Sequence, residues 1–301
     1  MGARPRNLNK PNPPVKAGLD ERLLAAHTGK SRDIARHKET GMKLRVLGCS
    51  GSDLPGHNLT SFCVNDTILL DAGSVTSSLD LAAQARLEHI FVTHSHLDHI
   101  KDILFLADNL IEFFVAGSRA PVAIHALPEV LDAISTHLLN DTIWPDFTVI
   151  PTDSPVLTYA PMTPGVPVVI GDVSIAAYPV NHAKAASGFV LWQDGEARNL
   201  AYTGDTGPCD DFWKAMDALP FALKNLITEA SFPSSMEALA TASKHLTPKL
   251  LRAELDKLRA RPDVFIYHLK APFAAVIVDE LARELAGYHY RLLREHDCID
   301  I

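Results

Sequence analysis

The run Thr93-His94-Ser95-His96-Leu97-Asp98-His99 restricts the fold of this 301-residue chain more than any other feature. Three imidazoles and a carboxylate fall within positions 94–99. Neutral imidazole and carboxylate are ligands that zinc, manganese and iron accept. A His-x-His-x-Asp-His spacing cannot aim all its side chains at one ion. It can serve two adjacent ions from one tight loop, with His94 and His96 for one and Asp98 and His99 for the other. The preceding Leu87-Glu88-His89-Ile90-Phe91-Val92 reads as a short buried strand. The cluster is therefore expected where a strand ends, a usual place for site residues in an α/β protein.

A two-ion site needs more ligands than this loop supplies, and three later segments offer them. Pro179-Val180-Asn181-His182 places a histidine just after a strand-like run. Ala201-Tyr202-Thr203-Gly204-Asp205-Thr206 does the same for a carboxylate, with Gly204 permitting a sharp turn. Ile266-Tyr267-His268 adds another histidine. All three follow apolar β-like runs, so all can converge on one edge of a core.

The chain is long enough for one large domain or two small ones with a real core. Its net charge of -8 argues against bulk nucleic-acid binding, which wants a basic face. A phosphate ester at a metal site remains compatible, because the ions carry their own positive charge. Cys49, Cys63, Cys209 and Cys298 form no C-x-x-C pair, so neither a disulfide framework nor a thiolate zinc site is expected. No apolar stretch approaches the ~20 residues of a membrane span. Residues 1–41 hold nine Lys/Arg against four Asp/Glu, a net +5, which leaves -13 for the remainder (-8 minus +5). They lack the apolar region of a secretory signal, and a cytoplasmic protein is expected. They read as a basic N-terminal extension outside the core, with one helix from about Leu19 to His37. The metal-bearing domain is expected over 42–301.

Within that domain the pattern predicts a strand at Lys43–Gly48 and a hairpin of Ser61–Val64 with Thr67–Asp71. Gly48-Cys49-Ser50-Gly51-Ser52 is not followed by Gly-Lys-Ser/Thr, so a phosphate-binding P-loop is not expected. Helical spacing runs from Ile100 to Phe114. A strand at Val122–His125 and a helix at Pro128–Leu139 follow, then a proline-punctuated loop over 140–167. Strands recur at Val173–Tyr178, Gly188–Gln193, Asn199–Thr203, Val264–Tyr267 and Tyr288–Leu293. Helices are expected at Met236–Ser243, Pro248–Ala260 and Ala274–Ala286. No repeat recurs at a fixed period. Sheets flanked by helices suit this order.

The ordered set of Asp71 in Leu70-Asp71-Ala72-Gly73, the His-x-His-x-Asp-His run, His182, Asp205 and His268 resembles the metallo-β-lactamase superfamily from about Lys43 to the end. The resemblance implies an α/β fold, the αββα sandwich of that superfamily, with the site at one edge. It implies two divalent ions, zinc first with manganese or iron as alternatives. His94, His96 and His182 would hold one ion, Asp98, His99 and His268 the other, with Asp205 bridging. Asp71 would buttress the ligand loop rather than bind metal. His57, His89, His125, His137, His289 and His296 lack partners at ligand spacing and read as structural or solvated.

Two ions roughly 3.5–4 Å apart suit hydrolysis, but the fold alone does not choose the bond. Three further segments narrow it: Thr228-Glu229-Ala230-Ser231-Phe232-Pro233, Ser243-Lys244-His245-Leu246-Thr247-Pro248, and Asn140-Asp141-Thr142-Ile143-Trp144-Pro145-Asp146-Phe147. With His-Leu-Asp-His they resemble the class II cyclic-nucleotide phosphodiesterases, although Lys244 stands where that family commonly has glycine. The Glu229…His245 pair also resembles the transfer-RNA 3′-processing endonucleases of the superfamily. By that analogy His245 protonates the leaving 3′ oxygen and Glu229 raises its pKa. The catalytic set is then His245, Glu229 and Asp98, Asp98 serving also as a ligand. Trp144 and Phe147 are candidates for stacking on a base, although a loop aromatic is more often a packing anchor, and Lys270 either meets a phosphate oxygen or is solvated at the surface. The first reading is a phosphodiesterase for 3′,5′-cyclic nucleotides (cyclic AMP or cyclic GMP). The rivals are an RNA 3′-processing endonuclease and an inactive metal-binding interaction protein. The expected partner is a small cyclic nucleotide, with no membrane and no nucleic acid; a homo-oligomer is compatible with the sequence.

Overall fold

A computed structural model describes residues 41–301 other than 116, 118, 184 and 194–196. The basic extension and the helix expected near its end lie outside the described residues. In chain order the strands of the first half are β1 (Lys43–Gly48), β2 (Ser61–Val64), β3 (Ile68–Leu70), β4 (His89–Phe91), β5 (Val122–Ala126) and β6 (Leu157–Pro161). The second half supplies β7 (Val168–Ile170), β8 (Val173–Pro179), β9 (Ser187–Gln193), β10 (Asn199–Tyr202), β11 (Asn225–Glu229), β12 (Asp263–Tyr267) and β13 (Tyr290–Leu292), and β14 (Cys298–Asp300) closes the chain. The helices are α1 (Leu81–Gln84), α2 (Leu97–Ile100), α3 (Asp102–Val115), α4 (Pro128–His137), α5 (Asp210–Asp217), α6 (Glu237–Ser243), α7 (Pro248–Leu255) and α8 (Ala274–Glu284).

These elements form an αββα sandwich. One sheet has the order β14-β1-β2-β3-β4-β5-β6 and the other β13-β12-β11-β10-β9-β8-β7. Each half runs antiparallel first and parallel after. Pairs β1/β2 and β2/β3 are antiparallel and β3/β4, β4/β5 and β5/β6 parallel. Pairs β7/β8, β8/β9 and β9/β10 are antiparallel and β10/β11, β11/β12 and β12/β13 parallel. The central strands β3, β4, β11 and β12 are buried on both faces, which is why each carries consecutive apolar residues, such as Ile68-Leu69-Leu70, Leu226-Ile227 and Val264-Phe265-Ile266. Strands β3, β4, β10, β11 and β12 deliver their C-terminal ends to the site. So does β8, because it and β10 both run opposite to the strand β9 between them.

Three apolar layers hold the sandwich. Between the sheets lie Phe62, Phe91, Phe189, Tyr202 and Tyr267 with Leu44, Val46, Ile175 and Ile227. Phe62 meets Tyr202 and Tyr267 edge-on at 5.3 and 5.6 Å, contacts worth about 0.5–1.5 kcal/mol each beyond area burial. Outside the first sheet, α3 buries Ile103, Leu104, Leu106, Ala107, Leu110 and Phe114 at helical spacing. Outside the second, α5, α7 and α8 bury Trp213, Leu251 and Leu281. Pro248 at the first turn of α7 and Thr247, whose side chain accepts from Leu250 N at 3.2 Å, start that helix.

Several expectations change. The region 140–167 is not all loop, because β6 pairs in parallel with β5 over Leu157–Pro161 despite its flanking prolines. Being the edge of its sheet, β6 tolerates the proline that a central strand would not. The helix expected from Pro248 to Ala260 ends at Leu255. The helical segment expected from Ile100 begins earlier, so Asp98 and His99 sit in the first turns of α2 rather than in a loop. Short elements such as α1, β7 and β14 escape periodicity because three or four residues give too little pattern. None of the helices among the described residues is long and apolar enough to cross a membrane.

Candidate metal centre

The chain leaves β4 through Thr93 and turns at once into His94-Ser95-His96. His96 is extended (φ -71°, ψ 145°) immediately before α2, so the loop and the first turn of the helix present their side chains from two directions. The side-chain donor atoms of His94, His96 and His182 lie within 4.8 Å of one another, as do those of Asp98, His99, Asp205 and His268. Asp205 also falls with His182 and His245, and His245 with Glu229 and His268. The nine residues expected as ligands or catalytic groups are thus brought together.

The first group consists of converging imidazoles. Nε2 of His182 is 3.2 Å from Nδ1 of His96, and the His94 ring centroid is 4.6 Å from each of the other two. Burial lowers the pKa of all three, and neighbouring imidazoles add to the effect at each. They are therefore neutral, which is the ligating form. In the second group Oδ2 of Asp205 lies 3.1 Å from Nε2 of His268 and 3.4 Å from Nε2 of His99. Oδ2 of Asp98 is 3.3 Å from Nε2 of His268. Burial disfavours the Asp205 charge, but His268 and His99 hold its pKa well below the ordinary carboxylate range.

Hydrogen bonds to the far side of each ring decide which nitrogen faces inward. Nδ1 of His99 donates to Asp71 at 2.8 Å, and Nδ1 of His182 to the Lys244 carbonyl at 2.8 Å. Nδ1 of His94 pairs with the Thr93 hydroxyl at 3.0 Å, and Nδ1 of His268 with the Ser231 hydroxyl at 3.0 Å. Four rings thus present Nε2, while His96 presents Nδ1 toward His182. Among the described residues Nε2 of His94 and Nε2 of His99 are buried without a well-formed hydrogen bond, the Asp205 oxygen 3.4 Å from His99 being an ion-pair contact. Buried, unpaired imidazole nitrogens beside two carboxylates are costly unless a cation sits among them. The donor set therefore fits divalent metal ions, with partners behind the ligands that orient them.

Asp71 plays the buttressing part geometrically. It is fully buried with φ +57°. Besides His99 it accepts from Thr93 N at 2.8 Å, from the Thr93 hydroxyl, and from the Tyr202 hydroxyl at 2.6 Å. Tyr267 does the same for Asp205, donating to Oδ1 at 3.1 Å. The aromatic layer between the sheets thus keeps its apolar bodies in the core and turns its polar tips to the site.

Beside the clusters, Nδ1 of His245 donates to Oε1 of Glu229 at 2.8 Å. Glu229 is fully buried and also accepts from Thr206 N at 2.9 Å and Leu246 N at 3.2 Å. Burial would lower the pKa of His245, but the Glu229 charge and hydrogen bond raise it overall. Lys244 ends α6 in the left-handed conformation (φ 55°, ψ 54°). The lysine adopts the backbone a glycine would take, so the departure from Gly-His-Leu-Thr-Pro leaves the turn intact.

The two loop aromatics serve as packing anchors. Phe147 is buried in the layer outside the first sheet and cannot stack on a base. Trp144 packs against that layer and meets Phe105 edge-on at 5.3 Å, a packing role. Lys270 donates to the Gly51 carbonyl at 2.8 Å and lies close enough to His245 for its charge to act on that ring. His89 and His125 form a pair, Nδ1 to Nε2 at 3.0 Å, away from the candidate ligands. Sequence reasoning missed Thr93, Tyr202, Ser231 and Tyr267. A polar-tipped aromatic at the last position of a buried strand, and a hydroxyl two residues after Glu229 on an extended chain, were the available signals.

Residues 66–268, more than half of the chain, match the family described as Beta-lactamase superfamily domain. The chain belongs to that family, and its fold is the metallo-β-lactamase sandwich. It is 26% identical over 257 residues to the 3′,5′-cyclic-nucleotide phosphodiesterase of Aliivibrio fischeri, covering 71% of this chain and 74% of that protein. Among solved structures it resembles unliganded yeast PDE1 (TM-score 0.73, 17% identity, 87% of this chain and 99% of that one). It also resembles the short form of human tRNase Z (TM-score 0.61, 17% identity, 86% and 98%).

Proposed function

We propose that this chain is a dimetal phosphodiesterase that hydrolyses 3′,5′-cyclic nucleotides to 5′-monophosphates. The observation that carries the reading is the buried Glu229–His245 pair set against the metal clusters. The His245 ring centroid is 4.9 Å from that of His182 and 5.5 Å from that of His268. In this reading His94, His96 and His182 hold one ion, and Asp98, His99 and His268 the other, with Asp205 shared. When bound, the ions lower the pKa of water and stabilise negative charge at the attacked phosphorus.

The chain's own residues supply the rest. Glu229 engages Nδ1 of His245, which leaves Nε2 to hand a proton to the departing 3′ oxygen. The raised pKa keeps that proton available at neutral pH. Lys270, anchored on Gly51, offers a positive charge for a phosphate oxygen. The likeness to the Aliivibrio fischeri phosphodiesterase supports the cyclic ester. The excess of acidic residues after position 41 supports a small anion over a polynucleotide. Residues 1–41 are proposed to lie outside this catalytic domain, in a cytoplasmic protein.

The test is the position of bond cleavage. Phosphorus NMR of the product from 3′,5′-cyclic AMP is expected to give the 5′-monophosphate. A 3′-monophosphate would mean that the 3′ oxygen is not the leaving group and would refute the role of His245.

A further inference from the structure

Ser231 occupies a position that neither the ligand set nor the acid pair accounts for. It is fully buried, and its hydroxyl donates to Oε2 of Glu229 in a very short contact. The same oxygen lies 3.0 Å from Nδ1 of His268 and 3.3 Å from Nδ1 of His245. A hydroxyl has one proton, and an ionised carboxylate can only accept. With that proton on Glu229, the serine oxygen is left as an acceptor. It then takes the Nδ1 proton of His268, which fixes Nε2 of that ring as the lone-pair nitrogen facing Asp98 and Asp205.

The Nδ1 edge of His268 is closed on another side by Gly51, where a Cβ would lie 2.7 Å from that nitrogen. The His268 backbone is held too: its N–H donates to the Cys49 carbonyl at 2.7 Å and its φ is +63°. With the backbone held, Ser231 supplies the side-chain hydrogen bond to Nδ1 that sets the tautomer of the ring. Glu229 accordingly has two arms. Oε1 takes His245 directly, and Oε2 takes His268 through Ser231.

We infer that Ser231 is a positioning residue that ties the tautomer and orientation of His268 to the same carboxylate that positions His245. This rests on the reading of His268 as a ligand and His245 as the acid. A change in occupancy of the second cluster would therefore be felt at the proton donor, and the reverse, through three hydrogen bonds: His268 to Ser231, Ser231 to Glu229, and His245 to Glu229.

The experiment compares wild type, Ser231→Ala and Ser231→Thr, all zinc-loaded. The readouts are zinc affinity by competition with a chromogenic chelator, the Nδ1–H resonances of ¹⁵N-labelled histidines, and kcat against KM. Ser231→Ala should weaken one of the two ions by about 10–100-fold, the range typical of groups behind a ligand. It should remove the hydrogen-bonded Nδ1–H signal of His268 and lower kcat more than it raises KM. Ser231→Thr, which keeps the hydroxyl, should recover most of the zinc affinity. Zinc affinity within about twofold of wild type in Ser231→Ala, with the His268 signal retained, would overturn the inference. So would a folded Ser231→Thr protein with affinity no better than Ser231→Ala. The affinity and NMR readouts need no turnover, so they fail or succeed independently of the substrate assignment.

Discussion

Oδ2 of Asp71 lies 2.8 Å from Nδ1 of His99, and neither residue is exposed to solvent. The contact joins the end of β3 to the first turns of α2 and leaves Nε2 of His99 free for the cluster. Asp71→Asn keeps the shape and tolerates the left-handed backbone, but an amide cannot accept at both positions. Wild-type protein should bind two zinc ions per chain. Asp71→Asn should lose about 10–100-fold in affinity for the His99 ion. Elemental analysis and chelator competition check this; two ions held with unchanged affinity would mean that Asp71 only shapes a turn.

His245→Ala should keep both ions and slow turnover of a poor leaving group by roughly 10²–10⁴-fold, the span of general acid catalysis. A p-nitrophenyl phosphodiester needs no proton on its leaving group, so its loss should be much smaller. Equal losses on both substrates would assign His245 to positioning rather than to proton donation.

Lys244 carries an exposed side chain on a left-handed backbone, and only its carbonyl serves the site, through His182. Lys244→Gly removes a left-handed penalty of about 1–2 kcal/mol and adds about 0.4–1 kcal/mol of unfolded-chain entropy. Thermal unfolding should therefore shift by no more than a few degrees, upward if at all, with metal content and turnover retained. A loss of metal in Lys244→Gly would show that the ammonium, not the backbone, is required.

The His89–His125 pair predicts acid sensitivity. Burial and the neighbouring His89 push the pKa of His125 down from 6.5 to about 4. As pH falls through this window the unfolded chain takes up a proton that the folded chain refuses, so stability is lost between pH 6.5 and 4. The loss is at most roughly 3 kcal/mol, from 1.36 kcal/mol per pKa unit. His125→Phe keeps a ring against Phe91, on which His125 stacks at 4.4 Å, and removes the titration. Denaturant unfolding at pH 6.5 and pH 4 should show a shallower fall for the variant; parallel falls would place the acid sensitivity elsewhere.

Much of this was legible because the ligands follow strands whose apolar runs are plain: β4 before His94, β10 before Asp205 and β12 before His268. The element order pointed to sheets flanked by helices, and the αββα sandwich came from the family resemblance carried by the ordered ligand set. What stayed hidden depends on three-dimensional pairing. The partners behind the ligands are a carbonyl at Lys244, hydroxyls at Thr93 and Ser231, and phenols at Tyr202 and Tyr267. Thr93 adjoins the His94 it pairs with, but the others lie far along the chain from what they orient: Tyr202 and Tyr267 reach the carboxylates of Asp71 and Asp205, and Ser231 and His268 are 37 positions apart. Trp144 and Phe147 left two readings open because a loop aromatic reads the same whether it faces a ligand or fills a layer; both fill the layer. Edge strands β6 and β14 were missed because one carries a proline and the other has only three residues.

The most direct test of the whole account is a four-substrate comparison with the zinc-loaded 301-residue chain. Cyclic AMP, cyclic GMP, a precursor transfer RNA and a simple phosphodiester are incubated separately and their products separated by chromatography. The account predicts that at least one cyclic nucleotide is converted to its 5′-monophosphate far faster than either of the last two reacts. Trimming of the transfer RNA with both cyclic nucleotides left intact would contradict it and assign the site to RNA processing.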